Sequence, residues 1–399
     1  MGNKYFMKRR VVLILAVLLI FGTATAVAFR FMRSVDENTG SNSNNQEEIT
    51  DTDPSRIRLI ASGDMLPHDT INERAKTGDG YDYEQFFTEV KPVFDGADIR
   101  FCNQEVPSAG EQFGISGYPT FNAPMAFSRN LSEVGCNLIN LANNHINDKG
   151  QPGINQTLDV WDGLDTLAVA GANRNAEEQS KVRYFEVKGV KFAFAAYAEY
   201  SNNRNVSDYG LNLLNESLVR SQLNEAKEQA DIVIVSAHWG TEFSTSANDF
   251  QRRWAKTFAD LGADIVIGHG PHVIQPAEKL PKAGGGETLV WYSIGNMLST
   301  QLEVEALTGG FAVMDIDTET KQLTDVSFLP TYMHYEWTAE EKAGEDLLAR
   351  KNLKLYPLDK AAEPLSRSLH NTTLEVQTEH IRKLRNQDAE VKIITSTEY

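Results

Sequence analysis

The sequence is poor in residues on which several classes of protein depend. It contains only two cysteines in 399 residues, Cys102 and Cys136, which excludes a disulfide-stapled scaffold and a cysteine-rich zinc site. The two cysteines either form one disulfide or remain separate buried thiols, and the sequence leaves both alternatives open. Neither an internal repeat nor a glycine-rich phosphate-binding loop is present, so the chain has no mark of a solenoid or of a phosphate-loop enzyme.

Positive charge is also scarce. Lysine and arginine together number 38 against 55 aspartates and glutamates, and the formal net charge is −17. No run of five basic residues occurs anywhere in the chain. Because a nucleic-acid interface needs a basic patch or stripe, this composition argues against nucleic acid as a partner.

One long apolar run occurs near the amino end. Val11 to Phe29 contains nineteen uncharged residues, which at about 1.5 Å per residue nearly cross the ~30 Å core of a bilayer. Four basic residues precede the run and two follow it, and this bias predicts a cytoplasmic amino end with the bulk of the chain extracellular. A cleaved signal peptide is the alternative, because Ala24, Ala26 and Ala28 could supply the cleavage site. We prefer an uncleaved, single-pass anchor in the cell membrane.

Shifts in composition predict four consecutive parts of the chain. The second part is rich in acidic residues, Asn, Ser and Thr and cannot bury apolar surface, so it is expected to be a disordered tether. The predicted parts are a cytoplasmic stub with a transmembrane signal-anchor (1–33), a disordered acidic linker (34–55), the main domain (56–300), and a closing hairpin with a mostly helical carboxy-terminal extension (301–399).

The main domain alternates short apolar strands with helical patterns, which indicates an α/β fold. Ile265 to Ile267 is a β-branched run typical of a strand buried on both faces. Gly268, Gly270 and Pro271 then end that strand and turn the chain. In open α/β sheets, ligands bind at the carboxyl ends of the strands, so the residues just after each strand deserve comparison.

Six side chains that can bind metal come directly after apolar runs. Taken singly, each has an ordinary explanation as a helix cap, a loop carboxylate, a turn residue or a core histidine. Six such placements are hard to explain as coincidence, and mixed carboxylate, amide and imidazole ligands suit Mn²⁺, Fe or Zn²⁺. The six predicted ligands are Asp64, Glu105, Asn144, His238, His269 and His272.

Six motifs, taken in order, resemble the CapA family of capsule-biosynthesis proteins, which is associated with bacterial poly-γ-glutamate. The resemblance covers roughly Ile57 to Leu298. It implies a calcineurin-like metallophosphoesterase fold, a four-layer α/β/β/α sandwich with the metal site between two sheets. The motifs are Gly63-Asp64, Asn103-Gln104-Glu105, Asn143-Asn144-His145, His238-Trp239-Gly240-Thr241-Glu242, Gly268-His269-Gly270-Pro271-His272 and Ser293-Ile294-Gly295-Asn296.

The resemblance also implies roles for individual residues. His145 would be the acid that protonates a leaving oxygen, oriented by Asp148. A water between two metals would be the nucleophile. Asp64 and His272 would hold one metal, Glu105 would bridge, and Asn144, His238 and His269 would hold the second metal.

Three departures from the phosphoesterase pattern concern the first metal. Leu66 stands where those enzymes have a second histidine, and Glu105 replaces an aspartate. His269 and His272 are three residues apart instead of two. The resemblance therefore implies one or two divalent ions, and His68 is either an extra ligand or an ordinary loop histidine.

The function implied by the resemblance is that of a membrane-anchored extracellular capsule-biosynthesis protein. Such a protein would export, anchor or process an anionic polymer together with the membrane subunits of a capsule or poly-γ-glutamate synthase. An extracellular metal-dependent phosphoesterase acting on nucleotide or surface-polymer phosphates is one alternative, and a non-catalytic scaffold with a vestigial site is another. If the chain is an enzyme, it is expected to be a metallophosphoesterase-like hydrolase.

Overall fold

The computed structural model describes residues 53–385 and 390–399, which belong to one compact unit. The predicted membrane anchor, Val11 to Phe29, and nearly all of the acidic linker lie outside the described residues. Within the described part of the chain, no helix is long and apolar enough to cross a membrane.

Strands and helices alternate through the first two thirds of the described chain. Short 3₁₀ turns lie at Glu84–Phe86, Glu111–Phe113, Val304–Leu307, Leu347–Ala349 and Leu358–Lys360. The strands are β1 (Arg56–Met65), β2 (Ile99–Gln104), β3 (Leu138–Asn140), β4 (Ala168–Ala170), β5 (Arg183–Val187), β6 (Val190–Ala198), β7 (Ile232–His238), β8 (Ile265–His269), β9 (Ala277–Pro281), β10 (Glu287–Trp291), β11 (Asn296–Leu298), β12 (Thr308–Asp317), β13 (Leu323–Glu336), β14 (Lys351–Pro357) and β15 (Lys392–Ile393). The helices are α1 (Asp69–Ala75), α2 (Lys91–Asp95), α3 (Met125–Val134), α4 (Gly150–Asp162), α5 (Ala176–Ser180), α6 (Glu216–Gln229), α7 (Asp249–Asp260), α8 (Ala339–Ala343), α9 (Ala362–Arg367) and α10 (Leu374–Arg385).

The first sheet has the strand order β14-β13-β12-β1-β2-β3-β4, with β11 paired to β1 and β15 paired to β13. Strands β1 to β4 run parallel, whereas β12, β13 and β14 are antiparallel neighbours. The second sheet has the order β5-β6-β7-β8-β10-β9, and its four central strands are parallel. Both sheets therefore contain a parallel block whose carboxyl ends can form a ligand site.

The two sheets pack face to face, as alternation along β7 shows. Ile232 and Ile234 belong to the core shared by the two sheets, whereas Val233 and Val235 belong to the core under the helices. Successive strand residues point to opposite faces, so a strand covered on both sides needs apolar residues at every position. The rings of Phe101 in β2 and Phe194 in β6 meet edge to face across the gap between the sheets, with centroids 6.0 Å apart.

Helices cover the outer faces of both sheets. Leu223 of α6 and Phe258 of α7 share a core with the outer side chains of the second sheet. On the first sheet, Trp161 of α4 donates a hydrogen bond from Nε1 to Gln104 Oε1 at 3.0 Å. The described residues thus form an α/β sandwich with two mixed sheets between helices, as predicted for the main domain.

The carboxy-terminal part differs in detail from its prediction. The hairpin is present as β12 and β13, and it joins the first sheet beside β1. The extension after Thr338 contains strand β14 in addition to the helices α8, α9 and α10. Strand β14 pairs with β13 and buries alternate side chains, among them Leu353 and Leu355. Packing against the sheet therefore determines the structure of this segment.

Of the two alternatives for the cysteines, the structure contains the disulfide. Cys102 of β2 and Cys136, two residues before β3, are joined in a disulfide. Both are buried between neighbouring parallel strands, so the disulfide links two strands that lead to the predicted ligands.

Candidate metal centre

The carboxyl ends of parallel strands from both sheets bring the predicted ligands together. Asp64 is the penultimate residue of β1, and His238 and His269 are the last residues of β7 and β8. Strand β11 packs closely on β1, where a Cβ atom on Gly63 would lie 2.2 Å from the carbonyl oxygen of Gly295. Glycine is therefore required beside Asp64.

Asp64 is fully buried and bonded to both histidines of the turn after β8. Its Oδ1 lies 3.0 Å from His269 Nδ1, and its Oδ2 lies 3.0 Å from His272 Nδ1. Asn103 Nδ2 donates to Asp64 Oδ1 at 2.8 Å, and Asn296 Oδ1 lies 3.2 Å from His272 Nδ1. Burying a carboxylate is costly unless such partners compensate for the lost water.

A second carboxylate faces the same point. Glu105 Oε1 lies 3.1 Å from His238 Nε2 and 3.6 Å from His272 Nε2, and all three side chains are almost completely buried. Among the described residues, neither Glu105 Oε1 nor His238 Nε2 has an aligned hydrogen-bond partner, although the two atoms are close. Two buried polar atoms that converge without bonding to each other could both bind a cation.

The pKa values of Asp64 and His272 depend on the charges of the neighbouring groups at the site. Burial would by itself lower the pKa of His272, but the charge of Glu105 and the hydrogen bond and charge of Asp64 raise it to about 9. Burial would raise the pKa of Asp64, but hydrogen bonds and charge from His269 and His272 hold it well below its usual range. Two buried carboxylates thus favour positive charge nearby, which either a protonated imidazole or a divalent cation could supply.

The residues fit a metal ion. Asp64, Glu105 and His272 offer ligand atoms that all lie within 4.8 Å of one another, and all three are buried. In the described residues, the unpartnered buried atoms include four from the predicted ligand set. These are Glu105 Oε1, Asn144 Oδ1, His238 Nε2 and His269 Nε2. Carboxylate and imidazole donors of this kind suit a transition-metal dication.

The predicted ligands do not all belong to that compact group. Asp64, His272 and Glu105 lie together, which matches the first metal and the bridge that the resemblance implies. His238 adjoins Glu105, whereas His269 uses its Nδ1 on Asp64 and stacks on Phe101 with ring centroids 5.3 Å apart. The second metal held by Asn144, His238 and His269 stays a prediction.

His145, which directly follows the predicted ligand Asn144 in the chain, forms a pair with Asp148. His145 Nδ1 lies 2.8 Å from Asp148 Oδ2, and both side chains are buried. Asp148 Oδ2 also accepts from the backbone N–H of Phe121 at 2.7 Å, and the Phe121 ring meets His145 edge to face at 4.6 Å. Asn202 Nδ2 lies 3.3 Å from His145 Nε2 and 3.4 Å from Nδ1, so it contacts the ring without favouring one nitrogen. The imidazole is therefore held on three sides.

His68 lies outside the compact ligand group. Its Nδ1 accepts a long hydrogen bond from the backbone N–H of Thr300 at 3.4 Å, and its ring meets Phe121 at 5.4 Å. Burial, with the positive charges of Arg350 and His272, lowers the pKa of His68 to about 3. The low pKa favours a neutral imidazole at His68, near the candidate site.

Several asparagines at the site were absent from the predicted ligand set. Asn103 donates to Asp64 and accepts from Asn140 Nδ2 at 2.7 Å, while Asn296 is the register partner of Asp64 in β11. Asn202 lies four residues after β6, one of the parallel strands for which no polar candidate was predicted. A search of the whole loop after Ala198, beyond the residue directly after the strand, would have included it.

Comparison with known proteins agrees with the resemblance. The family model described as "Bacterial capsule synthesis protein PGA_cap" matches residues 58–301, which include all six predicted ligands. The PGA biosynthesis protein CapA of Bacillus subtilis (strain 168) is 29% identical over 228 residues, 55% of this chain and 57% of that protein. The capsule biosynthesis protein CapA of Bacillus anthracis is 32% identical over 178 residues, 43% of this chain and 42% of that protein. The chain thus matches less than two thirds of the length of these relatives.

One solved structure gives a weaker similarity. A crystal structure described as a novel phosphatase from Mycoplasma pneumoniae aligns with 69% of this chain and 93% of that chain. The sequence identity is 13% and the TM-score is 0.43, a similarity too small to support a conclusion about fold or activity.

Proposed function

Because the chain belongs to the bacterial capsule synthesis family PGA_cap, we propose that it serves capsule biosynthesis outside the cytoplasmic membrane through a metal centre. In this proposal the amino-terminal apolar run anchors the chain. The main domain exports, anchors or processes an anionic polymer such as poly-γ-glutamate. The membrane subunits of the polymer synthase are its partners.

The observation that carries the proposal is the buried group of Asp64, Glu105 and His272. Its ligand atoms lie within 4.8 Å of one another, beside unpartnered atoms of His238 and His269. Two buried carboxylates and a histidine are expensive to maintain in an apolar interior unless they hold a cation. A divalent ion bound there would supply Lewis acidity for hydrolysis.

The proposed role of His145 follows from its hydrogen bonds. In the tautomer with the proton on Nδ1, Nδ1–H donates to Asp148, which leaves Nε2 with its lone pair. A proton carried at Nε2 would be available to a leaving oxygen. Asp148 would then act as a positioning residue that fixes the tautomer and stabilises the charged ring.

Two features support a location outside the cytoplasm. The charge bias around Val11 to Phe29 favours export of the bulk of the chain. The disulfide between Cys102 and Cys136 is of the kind that persists in oxidising compartments and is rare in the cytosol.

The net charge bears on how an anionic polymer would be bound. At −17, the protein repels a polyanion at long range. Binding of a carboxylate-rich polymer would therefore depend on a local positive centre, for which the metal group is the candidate.

Complementation of a capsule-deficient deletion strain tests the proposal. The wild-type chain and a His380→Ala control, which changes a histidine of α10 outside the ligand group, are expected to restore the capsule. Asp64→Asn and His272→Ala are expected to fail although the proteins accumulate in the membrane. Full restoration by both ligand variants would contradict a role for the metal centre.

An extracellular phosphoesterase is the second candidate, favoured by the pair of Asp148 with His145, the residue directly after the predicted ligand Asn144. A general acid has no use in a protein that only binds polymer. Hydrolysis of bis-p-nitrophenyl phosphate by the metal-loaded chain, abolished in Asp64→Asn, would support this candidate. Absence of both metal and hydrolysis would leave the non-catalytic scaffold.

A further inference from the structure

A second set of unpartnered buried atoms lies in the carboxy-terminal extension. Among the described residues, Trp337 Nε1 and His370 Nε2 are buried atoms without a hydrogen-bond partner, and Trp337 is 8% exposed. An unpaired buried donor is costly, so folded proteins keep few of them. Both residues line one cavity of about 430 Å³ between the turn Val304–Leu307 and the extension. That volume lies within the range of small-molecule sites.

Uncompensated positive charge lies behind the cavity wall. Arg350 is 2% exposed, and its Cζ lies 5.0 Å from the ring centre of Tyr335 and 5.8 Å from that of Trp337. Both aromatic residues line the cavity. The guanidinium donates to two backbone carbonyls and one threonine hydroxyl, and no carboxylate among residues 53–385 and 390–399 forms an ion pair with it. A buried cation without a carboxylate partner favours an anion nearby.

The other titratable wall residues are consistent with this charge. Lys342 lines the cavity, and its Nζ donates to the backbone carbonyl of Leu369 at 2.5 Å. Glu345 is the single acidic lining residue. Burial, aided by neighbouring positive charges that include Lys342 and Arg350, lowers the pKa of His370 to about 3. The imidazole is therefore neutral, so the positive charge at the wall comes from Lys342 and Arg350.

The rest of the lining is apolar. Leu302 is 53% exposed and Leu347 is 43% exposed, and both line the cavity with Leu307. Large apolar side chains exposed around a cavity are typical of a binding site for an apolar group. The ligand therefore needs an apolar body as well as an anionic group.

We propose that this cavity binds a carboxylate carried on a small apolar body, with Trp337 Nε1–H donating to the carboxylate. A phosphate dianion fits less well, because the N–H groups of Arg350 are directed to protein oxygens and Glu345 adds negative charge to the wall. Phosphate sites usually offer several N–H groups or a bidentate guanidinium. The proposal is independent of the metal centre and of the function proposed above.

Selective indole ¹⁵N labelling of the purified full-length chain tests the proposal with phenylacetate as the probe. The protein has five tryptophans, so the Trp337 N–H resonance can be assigned by its loss in Trp337→Phe. We expect that resonance to shift saturably as phenylacetate is raised to about 10 mM, well above the ~1 mM dissociation constant of a ~4 kcal/mol site. The neutral isostere phenylacetamide is expected to bind at least tenfold more weakly, because hydrogen bonds to charged groups are the stronger ones.

Two variants separate the site from unspecific binding. Lys342→Ala removes a partly buried charge without opening the core and is expected to weaken phenylacetate binding several-fold. Trp254→Phe changes a tryptophan of α7 outside the cavity and is expected to leave the affinity unchanged. No shift of the Trp337 resonance, equal binding of the acid and the amide, or full affinity in Lys342→Ala would overturn the proposal. If Trp337→Phe fails to fold, the test uses the one indole resonance that phenylacetate shifts saturably, which must be present in Trp254→Phe and must shift with weaker affinity in Lys342→Ala.

Discussion

His272 adopts a backbone conformation that explains the spacing of the two histidines after β8. Its φ is 61°, in the left-handed region, and Phe243, whose ring lies 6.1 Å from the His272 ring, has φ 59°. The backbone N–H of Phe243 donates to the carbonyl of Pro271 at 2.8 Å and holds the two segments together. Such conformations cost about 1–3 kcal/mol and persist where the surrounding structure determines them. The two histidines are therefore three residues apart because a strained turn lies between them. That turn brings the His272 imidazole to the same carboxylate, Asp64, that His269 contacts.

Substitution of His145 distinguishes a catalytic site from one that only binds metal. General acid catalysis is typically worth about 10²–10⁴-fold in rate. We expect His145→Ala to keep the metal content and the melting temperature but to lower hydrolytic or capsule-supporting activity by that factor. Asp148→Asn should lower activity less, because it weakens the hydrogen bond at Nδ1 without removing the imidazole.

A purely structural role of His145 would give a different result. The pair with Asp148 would then only stabilise the loop, so His145→Ala would lower the melting temperature and the activity together. A variant that keeps its metal, its melting temperature and its full activity would exclude both roles.

At the level of elements, local patterns predicted the main domain well. The buried runs in β7 and β8 and the helical spacing of Phe250, Trp254 and Phe258 in α7 are strong periodic patterns, and the structure confirms each element. In strand β14, Leu353, Leu355 and Pro357 alternate with lysine and tyrosine. The strand was missed because so short an alternation is a weak signal in a single sequence. Its neighbours in the sheet decide its structure, and a single sequence does not show them.

The residues of the candidate site that lie at the carboxyl ends of parallel strands could be predicted from the sequence. Polar residues after buried strands located Asp64, Glu105 and His238 because parallel strands end at one edge of a sheet. Asn103 and Asn296 were not predicted as site residues, because their role is to bridge side chains from other strands. That role depends on tertiary register, which spacing along the chain does not contain.

The segment after β11 positions Asn296 at the metal group. Asn296 Nδ2 donates to Gln301 Oε1 at 2.7 Å and to the carbonyl of Ala306 at 3.0 Å, which aims its Oδ1 at His272. Loss of such an outer partner typically costs 10–100-fold in metal affinity. We expect Gln301→Ala to weaken metal binding toward the lower end of that range in a competition titration with a chelator.

A matched control for this prediction is Gln322→Ala, which removes an exposed glutamine between β12 and β13. It should leave the metal affinity unchanged. Equal affinities in the wild type and Gln301→Ala would show that the segment after β11 does not support the site.

The disulfide between β2 and the segment before β3 should contribute to stability. The cysteines are 34 residues apart, and closing a loop of that size is worth about 3–4 kcal/mol in the chain-entropy account. We expect the Cys102→Ala, Cys136→Ala double variant to lose free energy of unfolding of that order, measured by denaturant titration. An unchanged unfolding midpoint in the wild type with and without reductant would show that the thiols are not paired.

At the scale of the whole molecule, the orientation of the chain in the membrane can be tested. Strand β1 runs from Arg56, next to the predicted linker, to Met65 at the metal centre, about 30 Å at roughly 3.3 Å per residue. The charge bias at the amino end predicts that this domain lies outside the membrane. Protease added to intact wall-stripped cells should digest the chain, whereas a cytoplasmic marker protein should survive. Full protection of the chain would contradict the orientation and the proposed role in capsule biosynthesis.

The central claim of the account is that the buried acidic group holds a metal. A net charge of −17 and two fully buried carboxylates, Asp64 and Glu105, make the protein dependent on local positive charge at this point. In the described structure, His272 is partly stabilised as a cation by those carboxylates. A divalent ion would replace that proton and satisfy the unpartnered atoms of Glu105 and His238.

Metal analysis of the full-length chain by inductively coupled plasma mass spectrometry tests this claim most directly. The wild type is compared with Glu105→Gln, which keeps the shape of the buried side chain, and with Glu242→Gln, which removes an exposed charge that also acts on His272. We expect the wild type and Glu242→Gln to retain a transition metal at a fixed stoichiometry, and Glu105→Gln to lose most of it. A wild type that contains no more metal than Glu105→Gln would contradict the account.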